Sequence, residues 1–174
     1  MKAVKLSRFA QQKCFAFSFA TRATNPVMQP QETMEMLNKK KASGSSRIHF
    51  LFTTMAADQL PDGVIPTSSM IDLTKLGLRD DNESDSQVFF PTEESLIEFC
   101  QIRDIRPGDS LVFYDNEDMT LASRAWFTFR SFSARNIFVL DGGLNFWKQN
   151  DLPLEDLCEF SPTRANQGSS LNYS

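Results

Sequence analysis

The chain of 174 residues has only one histidine and three cysteines. Cys14, Cys100 and Cys158 are far apart and form no CxxC pair, and His49 cannot complete a ligand cluster with them. This spacing excludes the common zinc motifs and a disulfide framework, and the odd number of cysteines favours a reducing compartment. We therefore expect no metal site and no cofactor. Whether the acidic stretch 77–87 holds a cation stays open.

Long apolar runs and a surplus of positive charge are also missing. The stretch Cys14–Ala20 is far shorter than the roughly 18 residues that a membrane-spanning helix needs. A net charge of -4 argues against a protein that binds nucleic acid through phosphate contacts. The 41% of hydrophobic residues is enough for the core of one globular domain.

Acidic residues are absent before Glu32, whereas five basic residues precede it. The basic residues are Lys2, Lys5, Arg8, Lys13 and Arg22. On a helix most of them share one face and apolar side chains share the other, a pattern typical of a mitochondrial presequence. The alternative is a disordered basic tail. We predict a protein of the mitochondrial matrix or inner membrane surface, and cleavage of the segment stays open.

Composition divides the chain into three parts. Residues 1–46 form a basic N-terminal arm that ends in a Lys-, Gly- and Ser-rich linker, 38–46, with a short helix near 33–41. Residues 47–158 form the domain, and 159–174 form a polar C-terminal tail.

Within the domain, short apolar runs alternate with helical patterns. Strands are predicted at 48–52, 69–73, 110–114 and 136–140, and helices after Thr92 and at 121–132 and 144–149. Apolar runs of this kind indicate a parallel sheet with helices on both faces, an α/β fold. Ligands of such sheets bind beyond the carboxyl ends of the strands, so we expect the site in the loop after Tyr114.

Three motifs stand out in the domain: DSLVFYD at 109–115, ASRAW at 122–126, and VLDGGL at 139–144 with Phe146 and Trp147. They resemble motifs of rhodanese domains, in particular the non-catalytic N-terminal module of thiosulfate and 3-mercaptopyruvate sulfurtransferases. Upstream, GVIPT at 63–67 resembles a degraded His-Ile-Pro-Gly segment, with Val64 at the His position and Thr67 at the Gly position. The resemblance covers about residues 47–157.

The resemblance implies that Asp115 replaces the cysteine that carries sulfur in catalytic rhodanese domains. A carboxylate cannot form a persulfide, and the acidic loop would repel an anionic sulfur donor. This degenerate loop comprises Asp115, Asn116, Glu117, Asp118, Met119 and Thr120. We expect Asp115 to cap the following helix rather than to act as an acid or base.

The other positions of these motifs are predicted to be structural. Arg124 should pair with Asp118 or Asp141, and Asp141 should bridge loops by hydrogen bonds. Gly142 and Gly143 should form a tight turn with positive φ. Core or interface positions are predicted for the aromatic residues Trp126, Phe127, Phe129 and Trp147.

Two cysteines lie in or near the domain. Cys100 falls on an apolar helix face, so its thiol is predicted to be buried and inert. Cys158 follows the core and is predicted to be exposed.

Three functions are consistent with these residues. The first is a catalytically inactive accessory subunit of a larger mitochondrial assembly, such as the respiratory chain or ATP synthase, that contacts protein partners through the arm and the tail. The second is a sulfurtransferase or sulfur carrier that uses Cys100, Cys158 or a separate catalytic module. The third is a regulatory domain whose loop binds a peptide or an anion.

Overall fold

A computed structural model describes residues 25–43, 47–55, 61–76, 91–116 and 118–155. In these ranges five parallel strands form one sheet in the order β1-β5-β4-β2-β3. The strands are β1 (Val27–Met28), β2 (Ile48–Thr54), β3 (Ser69–Asp72), β4 (Ser110–Tyr114) and β5 (Ile137–Leu140). The helices are α1 (Pro30–Ser43), α2 (Glu93–Ile102), α3 (Thr120–Ser131) and α4 (Gly143–Gln149).

Two apolar clusters cover the two faces of the sheet. The side chains of Leu111 and Phe113 from β4 pack with α2 and α3, whereas Val112 and Tyr114 pack with α4 and α1. Since successive side chains of a strand point to opposite faces, a strand between two helical layers has to be apolar at every position. The predicted α/β fold, with helices on both faces, is confirmed.

The fold begins before Arg47, where the sequence analysis placed the start of the domain. Val27 of β1 pairs with Val139 of β5, and α1 follows directly. Pro30 stands in the first turn of α1, and the Glu32 side chain accepts the backbone N–H of Gln29, which is one of the two hydrogen bonds of a capping box. Residues 25–43 therefore belong to the domain rather than to an arm and linker.

The lysine run at 39–41 lies inside α1, although it suggested a linker. Lysine and alanine are good helix formers, so a run of them continues a helix that has already begun. Thr33 is fully buried, and Met34 and Met36 pack against the cluster beside α4, which anchors α1 to the sheet. Only the Gly44–Ser46 part of the predicted linker lies outside the described residues.

The predicted start of α2 is confirmed. The hydroxyl of Thr92 accepts the backbone N–H of Ser95 at 3.2 Å, and Glu93 and Glu94 occupy the first turn. Among the described helices, none has the length and the apolar character that crossing a bilayer would require.

His49 belongs to a polar cluster at the amino-terminal end of the sheet. Its Nε2 lies 3.0 Å from the Asp109 carboxylate, which also accepts the backbone N–H groups of Arg47 and Arg106. Burial lowers the pKa of His49 below its usual value, although the bond to Asp109 acts in the opposite direction. The interpretation of His49 as a strand residue with a satisfied side chain agrees with this geometry.

We expect the protein to lose stability as the pH falls below about 6.5, the pKa of an unperturbed histidine. Because the pKa of folded His49 is lowered, the unfolded chain takes up this proton first, so acid favours unfolding until the folded pKa is passed. His49 is the chain's only histidine, so His49→Gln should weaken the dependence of the free energy of unfolding on pH in this range. Urea midpoints measured from pH 5 to pH 8 would check it, and equal slopes for both proteins would contradict it.

Candidate functional site

Asp115 lies at the carboxyl end of β4, where the sheet order predicted a site. The residue is 3% exposed, and its carboxylate accepts two backbone N–H groups. Met119 N donates to Oδ1 at 3.0 Å and Ala122 N donates to Oδ2 at 3.1 Å. Both donors belong to the start of α3, where the helix dipole favours negative charge. Asp115 therefore caps α3 from the preceding strand, as predicted.

A second carboxylate of the same loop also holds the start of α3. Asp118 Oδ1 accepts Thr120 N at 3.1 Å, and this bond lowers the pKa of the exposed Asp118 carboxyl. Met119, the residue before α3, has φ 66 and provides no side-chain cap of its own. The two aspartates therefore replace the missing cap. Asn116 is exposed, and Glu117 lies outside the described residues.

The glycine turn after β5 lies directly against the Asp115 loop. Gly142 and Gly143 have φ 63 and φ 54, which confirms the predicted positive φ. The N–H of Leu144 donates to the Asp115 carbonyl at 2.9 Å, and a Cβ added at Gly143 would lie 2.8 Å from that carbonyl oxygen. Gly143 is therefore required both by its φ and by the close approach of β4's end to α4.

The remaining motif residues do not join this loop as one site. Asp141 accepts a hydrogen bond from the Gln29 side chain and donates its backbone N–H to the Met28 carbonyl, so it ties the turn to the junction of β1 and α1. Trp126 N–H donates to the Ile137 carbonyl, and Trp147 is fully buried on the opposite face and donates to the Pro153 carbonyl. The ion pair between Arg124 and Asp118 or Asp141 stays a prediction.

A link that sequence reasoning missed joins the site strand to the segment 63–68. The buried Tyr114 hydroxyl donates to Ser68 Oγ at 2.7 Å and accepts the Ile65 N–H at 3.2 Å. Burial raises the pKa of Tyr114, so the hydroxyl keeps its proton. Val64, which stands where the resembling family has histidine, is fully buried. The sequence pattern of a strand shows that Tyr114 is buried, but it does not show which distant segment its hydroxyl contacts.

Thr67, at the position where the family pattern has glycine, adopts φ 66. A β-branched residue in this left-handed region is strained, typically by about 1–3 kcal/mol. We expect Thr67→Gly to raise the free energy of unfolding by about 1 kcal/mol, after allowing for the greater flexibility of glycine in the unfolded chain. Ser133→Gly is the matched control, because Ser133 has φ 65 but no β-branch, and this variant should gain less stability. Chemical denaturation measures both, and a loss of stability in Thr67→Gly would contradict the strain.

Cys100 lies far from the Asp115 loop. It belongs to the last turns of α2, is half-buried, packs against the apolar cluster and forms no disulfide. Leu111, at the amino-terminal end of β4, lines the same groove as Cys100, whereas Asp115 follows the carboxyl end of that strand. Cys100 therefore cannot replace the missing loop cysteine without a large rearrangement. Cys158 and Cys14 lie outside the described residues.

The described ranges hold no group of three or more His, Cys, Asp or Glu side chains close enough to share a metal ion. The acidic stretch 77–87 lies outside these ranges. In the described loop the backbone donors of α3's first turn are directed at Asp115 and Asp118, both carboxylates of the chain itself. The start of α3 is therefore an anion-binding site that is occupied by the chain's own carboxylates.

Comparisons with known proteins agree with this architecture. The model of the rhodanese-like domain family matches residues 29–150. The mitochondrial thiosulfate/3-mercaptopyruvate sulfurtransferase 1 of Arabidopsis thaliana is 32% identical over 91 residues, which cover 52% of this chain and 23% of that protein. The 3-mercaptopyruvate sulfurtransferase of Escherichia coli K12 is 28% identical over 100 residues, 58% of this chain and 34% of that protein.

Solved structures show the same fold. The 3-mercaptopyruvate sulfotransferase SseA from Escherichia coli superposes with a TM-score of 0.56 at 24% identity, covering 76% of this chain and 51% of that chain. The matched region is only a quarter to a third of the length of the curated relatives. Because the family model covers well over half of the sequence, the chain belongs to the rhodanese-like domain family, with homology to the thiosulfate and 3-mercaptopyruvate sulfurtransferases.

Proposed function

We propose that this rhodanese-like domain transfers no sulfur and serves as an accessory structural subunit of a larger mitochondrial assembly. The single observation that carries the proposal is the buried Asp115 carboxylate, which accepts the Met119 and Ala122 N–H groups at the start of α3. In a catalytic rhodanese domain those donors would hold an anionic sulfur on cysteine. Here they are used by a side chain that cannot carry sulfur.

Charge at the loop supports the same conclusion. Asp118 lies three residues after Asp115, and its lowered pKa keeps it ionised at neutral pH. A thiosulfate or mercaptopyruvate anion approaching the loop would meet two carboxylates before any thiol. Cys100, at the far end of the sheet, cannot receive sulfur from a donor bound at the Asp115 loop.

The mitochondrial part of the proposal rests on the N-terminal composition and on one homologue. The first 31 residues contain five basic residues and no acid, and the Arabidopsis relative is mitochondrial by name. Candidate hosts are a respiratory complex and the ATP synthase.

Sulfur transfer to cyanide, from thiosulfate and from 3-mercaptopyruvate, tests the catalytic half of this proposal. The full chain should show no turnover above a no-enzyme control, while the Escherichia coli 3-mercaptopyruvate sulfurtransferase provides the positive control. A double variant, Cys100→Ser with Cys158→Ser, is assayed in parallel. Turnover by the wild-type chain that disappears in this variant would establish the alternative, a sulfurtransferase that uses one of these cysteines.

The native size of the endogenous protein tests the structural half. Mitochondria are extracted in mild detergent and resolved on a native gel, and each slice is analysed by mass spectrometry. Migration with a complex far larger than the chain's own 19.8 kDa would support a subunit role, and the co-migrating proteins would identify the host. Migration at the monomer size, or absence from mitochondria, would refute it.

A further inference from the structure

A groove of about 340 Å³ opens between α2 and the end of α3, at the end of the sheet opposite Asp115. Leu96, Ile97 and Cys100 of α2 form one wall, and Phe129 with Ile137 forms the other. The floor is Leu111 of β4. Apolar side chains dominate the lining, and such a groove in a protein usually binds an apolar partner.

The chain enters the fold beside this groove. Val27 is paired with Val139, and the Pro26 carbonyl accepts the Val139 N–H at 2.8 Å, so Asn25 stands level with Ile137 in the groove wall. Neighbouring strands lie about 4.8 Å apart. The segment 1–24 therefore joins the described fold roughly 5 Å from the β5 side of the groove.

The nearest part of that segment has an alternating aromatic pattern. Phe15, Phe17 and Phe19 are separated by Ala16 and Ser18, so an extended backbone would direct all three rings to one side. From Phe19 to Asn25 an extended chain spans roughly 20 Å. This reach is enough to bring the three rings from the edge of the sheet over the groove.

Charge favours this segment over the acidic stretch 77–90, which also lies outside the described residues. Glu93, Glu94 and Glu98 line the exposed side of α2, and no basic residue belongs to that helix. The segment 1–24 carries five basic residues and no acid, whereas 77–90 is itself acidic. Two arginines also border the groove, Arg106 and Arg135, of which Arg106 is paired with Asp104.

The C-terminal tail starts on the other face of the sheet. Glu155 pairs with Val64 through two backbone hydrogen bonds, and the neighbouring Ile65 belongs to the apolar cluster beside α4. The tail therefore leaves the fold behind the sheet, away from the α2–α3 groove.

We propose that the segment Cys14–Ala20 binds intramolecularly in the α2–α3 groove, with Phe15, Phe17 and Phe19 in contact with its apolar walls and the flanking basic residues beside the glutamates of α2. This inference goes beyond the proposed function, and it holds whether or not the domain transfers sulfur. Removal of the segment after import would uncover the groove for a host protein, so the uncleaved chain is the form to test.

Cys100 provides a reporter inside the groove. In a full-length chain with Cys14→Ser and Cys158→Ser it is the only thiol, and its alkylation rate by iodoacetamide is followed by mass spectrometry. Replacing Phe15, Phe17 and Phe19 by serine should raise this rate about tenfold, because the groove loses its cover. Phe127→Ser, which removes an exposed phenylalanine of α3 outside the groove, should leave the rate unchanged. Equal rates in the triple variant and its parent would overturn the proposal.

Two further measurements separate the possible occupants. Reversing Glu93, Glu94 and Glu98 to lysine should accelerate alkylation at low salt and have less effect at high salt, where charges are screened. Phe17→Cys, in the same serine background, should form a disulfide with Cys100 under mild oxidation, which detects contact even if the triple variant folds poorly. Absence of this disulfide, or protection that grows with protein concentration and so indicates a second copy, would also refute intramolecular binding.

Discussion

Asp115→Ala is expected to lower the free energy of unfolding by about 3 kcal/mol. Two backbone N–H groups at the start of α3, those of Met119 and Ala122, would lose their acceptor inside a site that is 3% exposed. Loss of a helix cap typically costs about 1 kcal/mol, and a buried donor left without a partner costs about 1–3 kcal/mol. Urea denaturation followed by circular dichroism measures the change, with an unchanged m-value showing that the unfolded state is the same.

Two further variants show how much of the stability lost in Asp115→Ala comes from the charge and how much from the buried position of the acceptor. Asp115→Asn keeps the size of the side chain and one acceptor oxygen but not the charge, so its stability should fall between those of wild type and Asp115→Ala. Asp118→Ala removes an exposed carboxylate that accepts the N–H and the hydroxyl of Thr120, and it should cost clearly less because that site is open to water. If Asp115→Ala were as stable as Asp118→Ala, Asp115 would not be the main cap of α3.

Gly143→Ala should destabilise the fold by a comparable amount, about 3 kcal/mol. The alanine would have to adopt φ 54, and its Cβ would lie 2.8 Å from the Asp115 carbonyl oxygen. Positive φ at a non-glycine residue costs roughly 1 kcal/mol, and separating the turn from β4 would also weaken the hydrogen bond from Leu144 N to that carbonyl.

Gly108→Ala is the matched control for this prediction. Gly108 has φ 96, and a Cβ there would meet nothing within 4 Å, so the variant measures the backbone term without a steric clash. Alanine adopts φ 96 less readily than φ 54, so the loss in Gly108→Ala is an upper bound on the backbone term at Gly143, and any greater loss in Gly143→Ala reports the contact with Asp115. A loss in Gly143→Ala of no more than about 1 kcal/mol, the cost of positive φ alone, would show that the turn relaxes freely.

Patterns of local sequence predicted most of the architecture and the centre of the site. Continuous apolar runs such as 110–114 became buried strands, and Thr92 became the predicted cap, because both signals depend on neighbouring residues. The capping role of Asp115 followed from a carboxylate next to a helix start. The same reasoning predicted a short helix near 33–41 but placed it in an arm outside the domain, since its lysine run is equally compatible with a linker when no partner surface is known.

Features that depend on distant segments could not be predicted in this way. The hydroxyl of Tyr114 meets Ile65 and Ser68, nearly fifty residues earlier in the chain, and no local pattern indicates that pairing. The groove likewise combines side chains from two helices, two strands and two loops. Its existence depends on how far α2 and α3 stand apart, which is a property of packing rather than of either helix.

The position of β1 at the sheet edge has a consequence for synthesis. Val27 of β1 pairs with Val139 of β5 across 112 residues of chain, so β1, the first of the described strands to leave the ribosome, stays without its partner until β5, the last of them, has emerged. A nascent chain that ends after α2 has neither the central strand β4 nor the partner of β1. The described sheet can therefore be completed only after residues near 140 have emerged.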